Sequence, residues 1–124
     1  MQLHESAENY LEAILVLEQT QNQVRSIDVV NHLGFSKPSV SVAMKRLRED
    51  GYVQMDGQGF LALTAQGRAI AEIIYERHRV IAEILIGLGV DEQTAYADAC
   101  KIEHDISQES FQKMKTHYLA HRDK

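Results

Sequence analysis

Gly34-Phe35-Ser36-Lys37-Pro38-Ser39-Val40-Ser41-Val42-Ala43-Met44-Lys45-Arg46-Leu47-Arg48-Glu49-Asp50-Gly51 is the stretch on which the fold of this 124-residue chain turns. Ser36 can cap a helix, and Pro38 falls in its first turn, where a missing N–H costs nothing. Gly51 stops the helix after about Asp50. Val40, Ala43, Met44 and Leu47 recur at helical spacing and form an inner stripe. Pro38, Ser41, Val42 and Lys45 then face outward, flanked by Ser39, Arg46 and Arg48. Hydroxyls, one small apolar group and several cations on one face suit a helix lying in a major groove, with short donors near the bases and charges for the phosphates. The plainer alternative is an ordinary solvated helix.

Upstream, a short helix is expected from Ser26, acting as its cap, to Leu33, with Gly34 ending it. Two short helices joined by a tight glycine-containing turn make a helix-turn-helix. Downstream, Tyr52 to Asp56 and Phe60 to Leu63 alternate in the strand period around Gly57-Gln58-Gly59 and give a hairpin. That order reads as a winged helix, whose wing, having no Lys or Arg, is expected to meet DNA mainly through its backbone. The charge agrees with a DNA-reading module. The chain carries −5 overall. Arg25 to Arg68 nevertheless holds six basic residues against four acidic, a balance of +2 that leaves −7 for the remainder.

Ahead of this module, Ala7, Tyr10, Leu11, Ile14 and Leu17 give a first amphipathic helix from Glu5 to about Gln19. Asn9 and Glu12 lie on its other face, three apart and able to reach one point, or simply solvated. Behind the module, Thr64 can cap a long helix whose apolar residues Ile70, Ile73, Ile74, Val80, Ile81, Ile84 and Leu85 run to Gly87-Leu88-Gly89. So long a helix reads as a spine or an oligomer contact. Its lone His78 could be merely packed or exposed. A further helix is expected over Asp91 to Asp105, and a last one, capped by Ser107, through His117.

The Asp91–Asp105 helix carries Cys100, Glu103 and His104 at i, i+3 and i+4, which share one helical face. A thiol, a carboxylate and an imidazole offer soft, hard and borderline donors to a divalent transition metal. The competing reading is a small buried cysteine beside a solvated Glu-His pair. His117 and His121, four apart, could chelate zinc but stand near the terminus.

Length and a hydrophobic content of 44% suit one compact domain or two small subdomains. Neither a membrane span nor an export signal is expected. A single cysteine excludes an intramolecular disulfide and fits a reducing cytoplasm.

With these elements in order, the chain resembles the diphtheria-toxin-repressor and manganese-transport-regulator family of metal-dependent repressors from about Ser6 to Ser107. The resemblance rests on Glu8-Asn9-Tyr10-Leu11-Glu12-Ala13-Ile14, Ser36-Lys37-Pro38-Ser39-Val40-Ser41, Leu61-Ala62-Leu63-Thr64-Ala65-Gln66-Gly67, Arg77-His78-Arg79 and Asp98-Ala99-Cys100-Lys101-Ile102-Glu103-His104. It implies metal ligands at Asn9, Glu12, His78, Cys100, Glu103 and His104. Asn9 stands where iron-type members have Met and manganese-type members Asp. Cys100 matches the iron type, where manganese-type members have Glu. Ala82 and Tyr96 replace the Glu and His of the iron-type ancillary site. His78 with Glu12 could instead build the second site of manganese-type members. The SH3-like domain of iron-type members is not expected.

The expected protein is therefore mostly α. A winged helix-turn-helix DNA-binding domain spans residues 1–63, and a helical dimerisation and metal-sensing domain spans residues 64–124. It would be a cytoplasmic homodimeric repressor with no membrane partner. Loaded with Fe(II) or Mn(II), or in vitro with Zn(II) or Co(II), it would bind a palindromic double-stranded operator through Ser36, Lys37, Pro38, Ser39, Ser41, Lys45 and Arg46. Metal would tie the first helix to the spine and to the Cys100 helix, fixing the spacing of the recognition helices. Two rivals are a winged-helix regulator whose site no longer senses metal, and a zinc hydrolase with Cys100, His104 and His78 on the ion and Glu103 as base.

Overall fold

The computed structural model describes residues 5–121, in six helices and one two-stranded sheet. The chain divides into two compact units, one closing at Ile73 and the other opening at Ile74. Among the described residues, no helix is long and apolar enough to cross a membrane.

In the first unit α1 spans Glu5–Thr20, α2 Ser26–Leu33 and α3 Lys37–Glu49. The expected core stripe of α1 is too narrow. Tyr10, Leu11 and Ile14 are buried, but so are Ala13 and Leu15, while Ala7 and Leu17 are only partly covered. The reason is that α2, α3 and β2 all pack on α1, widening the face that must be apolar. The start of α2 also differs by one residue from the expectation. Arg25 occupies the cap in an extended conformation, its N–H donating to Asp28 Oδ2 at 2.8 Å, and Ser26 is already helical. An acidic residue in the first turn thus reaches back to the cap N–H, the reciprocal half of a capping box, in place of a hydroxyl cap from Ser26. Gly34, at φ +74°, closes α2 in the left-handed region that glycine adopts without strain.

The wing is a short antiparallel pair, β1 Val53–Met55 and β2 Leu61–Leu63, with Val53 opposite Leu63 and Met55 opposite Leu61. It is shorter than the alternating pattern because Asp56 and Phe60 leave the ladder to build the turn. Asp56 Oδ1 accepts from the N–H groups of Gln58 at 2.9 Å and Phe60 at 3.0 Å. The base of the wing is fastened by Leu61 N–H to the Val24 carbonyl at 2.7 Å. At its end Thr64 caps the next helix, accepting from Gly67 N–H at 3.1 Å while its hydroxyl donates to the Gly51 carbonyl at 2.7 Å.

That next helix, α4, spans Ala65–Gly87, so its first residues belong to the first unit and the rest to the second. α5 (Glu92–Ile102), with Asp91 as cap, and α6 (Gln108–His121) complete the second unit. Its core is Val80, Ile81, Ala82, Ala99 and Phe111, with Ile84, Leu85, Ile106 and Tyr118 packed around it.

Candidate metal centre and DNA-reading face

The sequence of α3 separates its two faces cleanly. Val40, Met44 and Leu47 are buried, and this anchors the helix. Ser36, Lys37, Pro38, Ser39, Ser41, Lys45 and Arg46 are all exposed. Ser36 caps α3 by accepting from Ser39 N–H at 3.3 Å, and its hydroxyl donates to Ser39 Oγ at 2.9 Å. Val42 is 68% exposed in the middle of this polar face, where burial in the unit gives it no reason to be apolar. Contact with a thymine methyl in a major groove would give it one. Replacing Ser39 and Ser41 with Ala is expected to cost about 1 kcal/mol each in discrimination between a cognate duplex and one altered at a single base pair. Competition titrations measure this, and an equal loss on both duplexes would reassign the hydroxyls to phosphates.

The candidate metal ligands of the second unit come together at the end of α5. The helix stops at Ile102, short of the expected Asp105. Cys100 is in its last turn, Glu103 is the cap residue at φ −58°, ψ −25°, and His104 lies in the following turn. Glu103 N–H still bonds the Ala99 carbonyl at 2.9 Å, so the helical offset between Cys100 and Glu103 survives one residue past the helix. Past the end of the helix the ladder tightens, with Asp105 N–H on the Ile102 carbonyl at 3.0 Å, and the carbonyls of Glu103 and Ile106 are taken by Arg77, whose Nη1 donates to them at 3.1 and 2.9 Å.

One ligand atom each from Cys100, Glu103 and His104 lies within 4.8 Å of the others. Their burial inverts the competing reading: the thiol is exposed, whereas Glu103 is wholly buried. Glu103 Oε2 is 2.9 Å from His78 Nδ1, so α4 contributes an imidazole to the same carboxylate. The other oxygen, Oε1, lies 3.4 Å from His104 Nε2, within ion-pair range, yet makes no hydrogen bond. The two groups are near but not aligned, since distance alone does not point a donor at an acceptor. A buried carboxylate oxygen left this way is costly. A divalent ion among thiolate, carboxylate and imidazole fits it, because donors about 2.0–2.3 Å from an ion stand roughly 3–4 Å apart.

Asn9 and Glu12 lie in the first unit, three apart on α1 and both half-buried. Tyr96 stacks obliquely on His78, ring centroids 5.6 Å apart, and Ala82 is wholly buried in the core, so neither position offers a ligand of the iron-type ancillary site. His117 and His121 stack at 4.2 Å on α6, with His121 Nδ1 2.9 Å from the His117 carbonyl. They belong to no three-ligand cluster among the described residues. No local pattern along the chain shows that Arg77 reaches across to this turn. Its place beside His78 is the only hint.

Residues 2–60 match the iron dependent repressor N-terminal DNA binding domain, and residues 64–122 match the iron dependent repressor metal binding and dimerisation domain. The transcriptional regulator MntR of Salmonella typhimurium is 35% identical over 106 residues, which cover 86% of this chain and 68% of that protein. An HTH-type transcriptional regulator of Methanocaldococcus jannaschii is 31% identical over 124 residues, covering 98% of this chain and 99% of that one. A manganese-dependent transcriptional repressor in complex with manganese superposes with a TM-score of 0.83 at 26% identity, over 90% of this chain and 51% of that one. This chain thus spans about half the length of that repressor. With both halves matched in order, the winged helix in the first and a thiol, carboxylate and imidazole gathered in the second, the chain belongs to the iron-dependent repressor family of metal-dependent transcriptional repressors.

Proposed function

We propose that the protein is a homodimer that binds a palindromic operator when Fe(II) or Mn(II) is held by Cys100, Glu103 and His104, with His78, Asn9 and Glu12 completing the ligands. In this reading residues 1–63 bind DNA and residues 64–124 sense metal and dimerise, in the cytoplasm. The observation that carries it is the wholly buried Glu103, one carboxylate oxygen held by His78 and the other without a hydrogen bond. The bound ion supplies positive charge and coordination bonds. His78 holds the carboxylate in place, the Cys100 thiol must give up its proton, and Ser39, Ser41 and Val42 read bases while Lys45 and Arg46 hold phosphates.

The chemistry of the donors favours iron over manganese. A thiolate prefers Fe(II), Co(II) and Zn(II), and the neutral amide of Asn9 lacks the charge that a hard ion such as Mn(II) favours. Titrating DNA affinity against free Mn(II), Fe(II), Co(II) and Zn(II) without oxygen tests this. Cys100→Glu is expected to move activation towards Mn(II), and adding Asn9→Asp to move it further. A parent that responds best to Mn(II), with no change on Cys100→Glu, sinks the iron preference. Activation should also weaken as pH falls, because a reprotonated thiol does not bind.

Lys45→Ala and Arg46→Ala are each expected to weaken binding to all duplexes alike and to lower the salt slope by about 1. An unchanged slope removes α3 from the phosphates.

A further inference from the structure

We infer that Arg77 is the positioning residue of the metal centre, clamping the backbone turn from which Glu103 and His104 project. The inference rests on the metal-site reading above. α4 places Arg77 and His78 next to each other, about 100° apart around the helix. They take hold of the same ligand from two sides, His78 through the Glu103 carboxylate and Arg77 through the Glu103 carbonyl. From Nη1 the guanidinium also donates to the Ile106 carbonyl at 2.9 Å, and from Nη2 to Gln108 Oε1 at 2.7 Å, at the first residue of α6. Its carbon lies 5.6 Å from the centroid of the Phe111 ring.

The clamp is not explained by stability alone. Arg77 Nε is buried without a hydrogen-bond partner, an expense that a well-packed apolar side chain would avoid. Nor does the charge help, because a cation near a divalent ion opposes its binding. What the guanidinium supplies is geometry. The two in-plane N–H groups of Nη1 hold two carbonyls, three residues apart, at a set angle while Nη2 holds Gln108, whereas a freely rotating lysine ammonium fixes no such angle and has no second nitrogen for Gln108. Those carbonyls belong to the turn in which α5 gives out, whose free C=O groups otherwise leave its conformation loosely determined. With the turn fixed, the Glu103 carboxyl and the His104 imidazole keep their offset from Cys100.

The test uses the full chain, Co(II) alone as the probe and no oxygen, reading affinity by calorimetry and the thiolate-to-Co(II) charge-transfer band in the near ultraviolet. The parent is expected to bind Co(II) with that band. Arg77→Met should lower the affinity 10- to 100-fold, the range seen when a partner that orients a ligand is lost, and should alter the band even at saturating Co(II). Arg77→Lys should recover only part of both. A residue that served stability alone would leave the saturated spectrum as in the parent. If Arg77→Met does not fold, Arg77→Lys carries the test, and a parent-like affinity and spectrum in it overturns the inference. Parent-like binding by Arg77→Met overturns it equally and leaves the metal site standing. A parent that binds no Co(II), or binds it without the thiolate band, overturns the site itself.

Discussion

Glu103→Gln is expected to yield a folded protein whose DNA binding no longer responds to metal. The substitution keeps the shape and leaves an oxygen that can face His78, but it removes the one buried carboxylate of the centre. Losing a group that merely orients a ligand costs 10- to 100-fold in metal affinity, so losing the ligand should cost about 100-fold or more. Stability should move the other way. The native chain buries a carboxylate oxygen without a hydrogen bond, so neutralising it should leave the metal-free protein no less stable, and more stable by on the order of 1 kcal/mol. Metal titrations of DNA affinity, run beside denaturant melts of the metal-free chain, separate the two effects. If the variant melts early and keeps its metal response, Glu103 is a structural residue and the centre lies elsewhere.

Gly67→Ala should have the largest effect on folding. A methyl group at this position would stand 2.0 Å from the Tyr52 carbonyl oxygen and 3.0 Å from its carbon. Backbone at that distance must move, and here it has nowhere to go. Tyr52 is buried, its N–H is bonded to the Leu47 carbonyl at 2.9 Å, and its own carbonyl accepts from Thr64 N–H at 3.1 Å. Overpacking of this kind costs about 3 kcal/mol or more, which in a unit of this size lowers the melting midpoint by at least about 10 °C. Gly57→Ala is the control, because nothing lies within 4 Å of the added methyl. A parental midpoint in Gly67→Ala would mean that the wing does not approach the start of α4 as closely as described.

The parts of the fold legible in the sequence are those decided by neighbours along the chain. Ser36 and Pro38 start α3, Gly34 ends α2, and Thr64 caps α4, because caps and turns are contacts across three or four residues. The stripe of α1 was harder to read, since three partners widened it. The centre was legible as a set of donors but not as a geometry. Spacing brings Cys100, Glu103 and His104 together, but only tertiary packing puts the carboxylate inside and the thiol outside. Arg77 was illegible for a related reason. An arginine on a helix ordinarily reaches for water, and nothing local says that the end of another helix will offer it two carbonyls.

The outward thiol and inward carboxylate also have a kinetic meaning. With the ligand set proposed above, Cys100 is the first group an incoming ion meets and the last to release it. On this reading the outward Cys100 governs how quickly an ion is exchanged with its surroundings, and the buried Glu103 how firmly it is kept.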